Sequence, residues 1–178
     1  FAITFSKPIK GYGYQEMKPM AYNGMWRKFN IYRDFPEIGG RNVVAYFDFD
    51  LSDGVPLEVK VALSPVRASG ALNNLRVETA GRSFEQLRDL AEQKWENALS
   101  VVEVEGDYDQ TCNIYSSLYH TMINPSLYMD HDGAYRGLDH EIHHADDFIN
   151  YTVFSVWDTY RALHPLFNLF YPSRSKDI

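Results

Sequence analysis

The sequence has a single cysteine in 178 residues, Cys112, which excludes an internal disulfide and any zinc site built on several cysteines. It has no apolar run approaching the ~18 residues that a membrane-spanning helix needs, and no segment that reads as a signal peptide. It has no internal repeat and no low-complexity tract, so neither a solenoid nor a disordered linker is expected. Basic charge is scarce in one part of the chain. Residues 69–178 hold 8 Lys/Arg against 17 Asp/Glu, a balance of −9, whereas residues 1–68 hold 9 against 7, a balance of +2. The acidic part is a poor surface for a polyanion, so nucleic acid is not expected as a partner, and the contrast fits two structural units.

What the chain does have is aromatic surface. Thirteen Tyr, 11 Phe and 3 Trp make up 15% of it, and rings with an apolar face and a polar edge suit both cores and sites for amphipathic ligands such as sugars. The opening FAITFSKPIK reads as a strand without an initiator Met, and the closing YPSRSKDI places Ser173 and Ser175 where a helix could begin. Both ends therefore read as lying inside structure, and the chain is expected to be a piece of a longer protein.

Short strand-like segments fill the first part: FAITF, RKFNIY, NVVAYFDFD and LEVKVALS, separated by the turn signals EIGGRN and SDGVP. Leu57, Val59, Val61 and Leu63 alternate with Glu58, Lys60 and Ala62, which predicts one buried and one solvated face. The pattern changes at Ser83. SFEQ is a capping box, after which Phe84, Leu87, Ala91, Trp95, Leu99 and Val102 recur at helical spacing. A second helix is predicted over Tyr108–Ile123, with Ile114, Leu118 and Met122 on one face and Pro125 marking its end. Gly133 and Gly137 flank AYR, which reads as a hairpin, and a further helix follows it.

Several motifs bear on chemistry. His140-Glu141-Ile142-His143-His144 satisfies HExxH, in which two His one helical turn apart bind zinc and the Glu acts as general base. It needs a helix and a third ligand; no Glu follows Glu141, and Asp146, Asp147 or Asp158 would have to serve. The alternative is a polar loop rich in His and Asp. MDHDGAYRG has the Asp spacing of a calcium loop, but its Gly133 falls at the fourth position where an EF-hand needs the sixth, and a tight turn held by Asp side chains explains it as well. Asn150-Tyr151-Thr152 is a glycosylation sequon, meaningful only in a eukaryotic secretory context. In YTVFSVWDTYRALHPL, Ser155 and Asp158 have capping-box spacing, and Asp158 and Arg161 can pair on a helix surface. One reading makes Asp158 a cap paired to Arg161, with Phe154, Trp157 and Leu163 in the core. The other presents the Trp157 face and the Asp158 carboxylate to a sugar ring.

Three blocks, EVKVALSPVRASGALNNLRVE (58–78), SSLYHTMINPSLYMDHDGAYRG (116–137) and YTVFSVWDTYRALHPL (151–166), resemble glycoside hydrolase family 92, the calcium-dependent exo-acting α-mannosidases. The resemblance implies an α+β multidomain protein: residues 1–68 as the end of an N-terminal β-sandwich, 69–106 as a linker with a helix, and 107–178 as the start of an incomplete (α/α)6 catalytic barrel. It implies release of terminal α-linked mannose, α-1,2 in particular, from glycans by an inverting mechanism. Trp157, Asp158 and Arg161 fall on its substrate-binding pattern, with Arg161 as a neighbour that orients Asp158. The catalytic acid and base and the calcium ligands are expected beyond Ile178, so the chain alone is expected to be inactive. Its partners would be a mannose-containing glycan and the remainder of the polypeptide, which would cover the helices' apolar faces, with no transmembrane segment. The location would be secreted, periplasmic or on the bacterial cell surface. The rival functions are a zinc peptidase on His140, Glu141 and His144, and a noncatalytic carbohydrate-binding module.

Overall fold

A computed structural model describes residues 1–18, 28–33 and 43–178, and the side chains of 1–14 and 43–178. The turn signal EIGGRN, residues 37–42, lies outside the described residues. The chain divides into two compact units, Thr4–Lys60 and Phe1–Ile3 with Val61–Ile178.

Strands β1 (Ala2–Phe5), β2 (Gly11–Lys18), β3 (Lys28–Arg33), β4 (Val43–Asp48) and β5 (Val59–Ala62) account for all four predicted strand segments and add β2. The first unit is built on an antiparallel sheet of order β3-β2-β4, in which Tyr14 lies opposite both Tyr32 and Ala45. GYGYQEMK carries too much glycine and charge to stand out as a strand, and two-sided pairing holds it instead. Phe5 packs its ring against Phe47 and Phe49, with centroids 5.1 and 4.8 Å away. The predicted SDGVP turn is present: Gly54 has φ 68°, and the Asp50 and Asp53 carboxylates accept from Ser52 N–H and Val55 N–H.

Strands β1 and β5 form a two-stranded ribbon in which the boundary between the units falls. The alternation in β5 is real, but its apolar side is not the covered one: Val59 and Val61 are both exposed. A two-stranded ribbon has no layer of its own to place over that face, so period-2 patterning predicted the strand but not the burial.

In the larger unit the described helices are α1 (Ala68–Thr79), α2 (Phe84–Leu99), α3 (Tyr108–Met122), α4 (Val156–Thr159), α5 (Leu163–Phe170) and α6 (Pro172–Asp177). α2 begins as predicted, with both halves of the Ser83/Gln86 capping box made, and ends at Leu99 rather than Val102. α3 is capped by Asp107, whose carboxylate accepts from Gln110 N–H, and buries Leu118 and Met122 of the predicted face while Ile114 stays exposed. Trp95 packs on Tyr119, centroids 4.6 Å apart, and joins α2 to α3. α5 sends the fully buried Phe167 between Phe154 and Tyr171, and the Tyr171 hydroxyl donates to the Ala98 carbonyl. The Arg174 guanidinium lies over Tyr151 and Phe167 and donates to the carbonyls of Met122 and Pro125, tying α6 to the end of α3.

α1 is absent from the sequence reading, and its support is tertiary. Its N-cap residue Arg67 makes no side-chain cap; instead Ser64 Oγ accepts from Val66 N–H and Arg67 N–H and donates to Asp130 at 2.7 Å. Asn74 donates to Asp130 and to the Leu63 carbonyl, both at 2.9 Å, and accepts from His131 N–H at 2.8 Å. Asp130 is 2% exposed. Gly70 lets its carboxylate approach, since a Cβ there would fall on Asp130 Oδ2 and 2.8 Å from Ser64 Oγ. The first turn of α1 has no acidic residue of its own, so this carboxylate supplies the negative charge that a helix start favours.

Candidate functional site

The AYR hairpin forms as predicted: β6 (Ala134–Arg136) pairs antiparallel with β7 (Ile142–His144), Tyr135 opposite His143. Gly133 enters it at φ 86°, where a Cβ would stand 2.9 Å from the Ala145 carbonyl, so no other residue fits there without a shift. The MDHDG segment is a turn: Asp130 accepts Gly133 N–H on its carbonyl, and Asp132 accepts Ala134 N–H at 3.2 Å. Arg136 reaches across to the carbonyls of Pro65 and Val66, both at 3.3 Å, and to that of His140 at 2.7 Å.

This hairpin overturns the zinc-peptidase reading. HExxH requires a helix to bring its two His onto one face, whereas His140 sits in the hairpin turn with φ 67° and His144 ends a strand. His143, the residue the motif leaves unassigned, is the one that is engaged: its Nε2 lies 2.9 and 3.1 Å from the Asp139 carboxylate oxygens. The Glu141 N–H donated to Asp139 and the His143 ring beside it hold the Asp139 carboxyl below the ordinary 3.8. Among the described residues no group of three or more His, Cys, Asp or Glu could hold a metal ion. The described residues therefore do not by themselves fit a calcium or zinc site.

The hairpin walls a cleft of about 770 Å³, within the usual range for small-molecule sites. Tyr135, Arg136 and the turn 137–140 line one side; Tyr151–Phe154, Val156 and His164 line another. The Tyr135 ring is set against His143 and Phe148, and the Phe154 ring edge meets His164, whose Nε2 is 2.9 Å from Thr159 Oγ1. Asn150 of the sequon spends its side-chain amide on the Tyr128 carbonyl.

The opening of YTVFSVWDTYRALHPL departs from the capped core helix. α4 is a single turn; the Ser155 side chain makes no cap, and the turn is closed by backbone bonds, Asp158 N–H to the Ser155 carbonyl and Tyr160 N–H to the Val156 carbonyl, with Thr159 Oγ1 also donating to the Ser155 carbonyl. Asp158 and Arg161 do not pair: Arg161 Nε donates to the Tyr160 hydroxyl at 2.9 Å and its guanidinium carbon stands 5.5 Å from that ring's centroid. Trp157 is 84% exposed rather than core. Among the described residues, the Asp158 carboxylate accepts no side-chain or backbone hydrogen bond. The structure thus sets Trp157 and Asp158 side by side on an exposed turn, with Arg161 engaged elsewhere; of α4 only Val156 lines the cleft. The sequence reading did not pick out the cleft residues Tyr135, Asp139 and His143. The i,i+4 spacing of Asp139 and His143 was visible, but only the hairpin makes it a pair.

Several solved structures resemble the chain, and no curated protein matches it. The family GH92 α-mannosidase BT3965 from Bacteroides thetaiotaomicron aligns at 32% identity with a TM-score of 0.70, covering 99% of this chain and 23% of that one. Its complex with mannoimidazole aligns at 32% identity and TM-score 0.64 over 93% of this chain and 21% of that one. The family glycosyl hydrolase CcMan5, at 18% identity and TM-score 0.72 over 99% of this chain and 28% of that one, shares the fold. The chain thus spans about a quarter of the length of the proteins it matches. The model of the glycosyl hydrolase family 92 catalytic domain matches residues 70–178, more than half of the chain, and the chain therefore belongs to glycoside hydrolase family 92.

Proposed function

We propose that this chain is part of a glycosidase that releases terminal α-linked mannose, α-1,2 linked, from glycans. In that enzyme it supplies a sugar-binding wall and not the reacting carboxylates. The observation that carries the proposal is the exposed pair Trp157 and Asp158 in a chain 32% identical to an α-mannosidase whose structure is known with mannoimidazole. An indole face packs on the C–H face of a sugar ring, and a carboxylate with unused lone pairs accepts its hydroxyls. Arg161 orients Tyr160 and borders this pair.

The chemistry is inverting: one carboxylic acid protonates the leaving oxygen while a carboxylate activates water on the opposite face. Neither role is given to a residue of this chain. In the architecture proposed, residues 1–68 end a β-sandwich and 107–178 open an (α/α)6 barrel, in an enzyme that works outside the bacterial cytoplasm. A noncatalytic carbohydrate-binding module is disfavoured, because the matching family domain is a catalytic one over 70–178.

The test uses the complete polypeptide and α-1,2-mannobiose. Asp158→Ala is expected to lower kcat/KM by about a hundredfold, in the range of a lost charged hydrogen-bonding partner, whereas Arg88→Ala on α2 leaves it within about twofold. Equal effects would remove Asp158 from the site. The purified 178-residue chain is expected to release no mannose. Calcium is expected in the complete enzyme, so EDTA should abolish its activity while leaving the melting of the 178-residue chain unchanged.

A further inference from the structure

Two imidazoles of the cleft wall, His143 and His164, have one ring nitrogen occupied by the protein and the other free. His143 Nε2 lies 2.9 and 3.1 Å from the Asp139 carboxylate oxygens, and Glu141 N–H donates to the same carboxylate at 3.0 Å. An ionised carboxylate only accepts, so this Nε2 carries the proton. His164 Nε2 lies 2.9 Å from Thr159 Oγ1. The one hydroxyl proton of Thr159 is given to the Ser155 carbonyl at 3.2 Å, so Thr159 accepts from the imidazole, and His164 too has its proton on Nε2. In the neutral ring each Nδ1 is then a bare acceptor, and among the described residues neither has a hydrogen-bond partner.

An aromatic ring accompanies each of these acceptors. The Tyr135 ring stands 5.6 Å from that of His143, and the Phe154 ring meets His164 edge-on at 5.1 Å. All four residues line the cleft of about 770 Å³. The opposite edge of the His143 ring lies against Gly137, where a Cβ would stand 2.9 Å from Cδ2, 3.0 Å from Nε2 and 2.5 Å from Asp139 Oδ1, so the glycine makes room for the pair. Acceptors beside apolar faces call for a ligand with several O–H donors and exposed C–H bonds. An anion brings no such donors and meets the Asp139 charge, while the guanidinium of the wall, Arg136, is spent on the carbonyls of Pro65, Val66 and His140.

We infer that the cleft binds a sugar whose hydroxyls donate to His143 Nδ1 and His164 Nδ1 while Tyr135 and Phe154 meet its C–H faces. This site needs no contact with Trp157 or Asp158 and does not depend on the role proposed for them.

The test is calorimetric titration of the complete polypeptide with mannose, in an Asp158→Ala background so that a sugar held by α4 is not what is read. Glutamine reproduces the Nε2 donor of histidine and has nothing at Nδ1, so His143→Gln and His164→Gln keep the bonds to Asp139 and Thr159 and delete the acceptors. Each is expected to weaken mannose binding by about fivefold to tenfold, the scale of one lost hydrogen bond, with a melting midpoint unchanged within about 2 °C. Weakening above about twofold in either folded variant supports the inference; binding within about twofold in both, or no binding by the background polypeptide, overturns it. A crystal structure of the complete polypeptide with mannose decides where a variant fails to fold. A sugar hydroxyl within hydrogen-bond distance of either Nδ1 supports the inference, and a cleft filled by another segment of the polypeptide, or without sugar, overturns it. Weakened binding in a polypeptide that releases no mannose would sink the proposed function and leave the cleft site standing.

Discussion

Asp130→Ala should be among the most destabilising substitutions in the chain. The carboxylate is 2% exposed and accepts from the Ser64 hydroxyl at 2.7 Å and the Asn74 amide at 2.9 Å. Alanine leaves the buried Asn74 amide and the half-buried Ser64 hydroxyl without that partner. The Asn74 amide cannot turn elsewhere, because its other N–H is given to the Leu63 carbonyl and its oxygen to His131 N–H. A buried donor left unsatisfied costs about 1–3 kcal/mol and the half-buried hydroxyl somewhat less, so the pair amounts to about 2–5 kcal/mol. The loss of negative charge beside the first turn of α1 acts in the same direction. Against a total of roughly 5–15 kcal/mol for a domain this is a large fraction, and in a chain of this size it lowers the melting midpoint by about 5–15 °C. Thermal unfolding followed by far-UV circular dichroism on the 178-residue chain measures it. Asp132→Ala is the internal comparison, because Asp132 is exposed and accepts only Ala134 N–H at 3.2 Å. If the Asp130→Ala and Asp132→Ala midpoints agree within about 2 °C, the Ser64–Asp130–Asn74 cluster does not hold α1, and the reasoning is wrong.

Gly70→Ala should destabilise through the same cluster, because its Cβ would displace the Asp130 carboxylate; a midpoint equal to wild type would show that α1 shifts at no cost. Ser83→Ala removes one side of the capping box and should cost about 1 kcal/mol, with a loss of helical ellipticity that Ser83→Asp restores. By NMR titration the Asp139 carboxyl should ionise below 3.8, and His143→Ala should move it only part of the way back, since the Glu141 N–H is the larger cause. The sign follows from the depressed folded value: the contribution to stability is present above the ordinary aspartate pKa and is lost as pH falls through the lowered one. Elemental analysis of the chain after equilibration with zinc and desalting should find none at stoichiometric level, as a strand and turn through residues 140–144 dictate; one zinc per chain would restore the peptidase reading.

The features legible in the sequence were those whose cause is local. Ser83 and Gln86 satisfy each other's backbone, so four residues suffice to place the start of α2. Gly133 and Gly137 bracket the hairpin because its entry demands a left-handed residue against the Ala145 carbonyl. α1 was not legible, because the groups that hold its first turn come from Ser64 before it and Asp130 sixty residues after it. The same spacing rule that succeeded at Ser83 failed at Ser155. There Ser155 has ψ 90° where the capping Ser83 has 171°, and its side chain makes no cap bond. HExxH failed for the complementary reason: a motif defined on a helix was met in a segment that the partner strand β6 draws into a hairpin.

Those two failures point the same way. Had Ser155 capped α4 and Asp158 paired with Arg161, both polar groups would have been used within the helix and nothing would have been left for a ligand. Instead Arg161 turns to the Tyr160 hydroxyl, and the helix closes on backbone bonds and on the Thr159 hydroxyl donated to the Ser155 carbonyl. A carboxylate and an indole are thereby left unspent on one exposed turn, whose first residue, Val156, lines the cleft. Within this chain Trp157 has no core role, because its ring is 84% exposed. In the function proposed above, the unspent indole and carboxylate of α4 meet the apolar face and the hydroxyls of a terminal sugar.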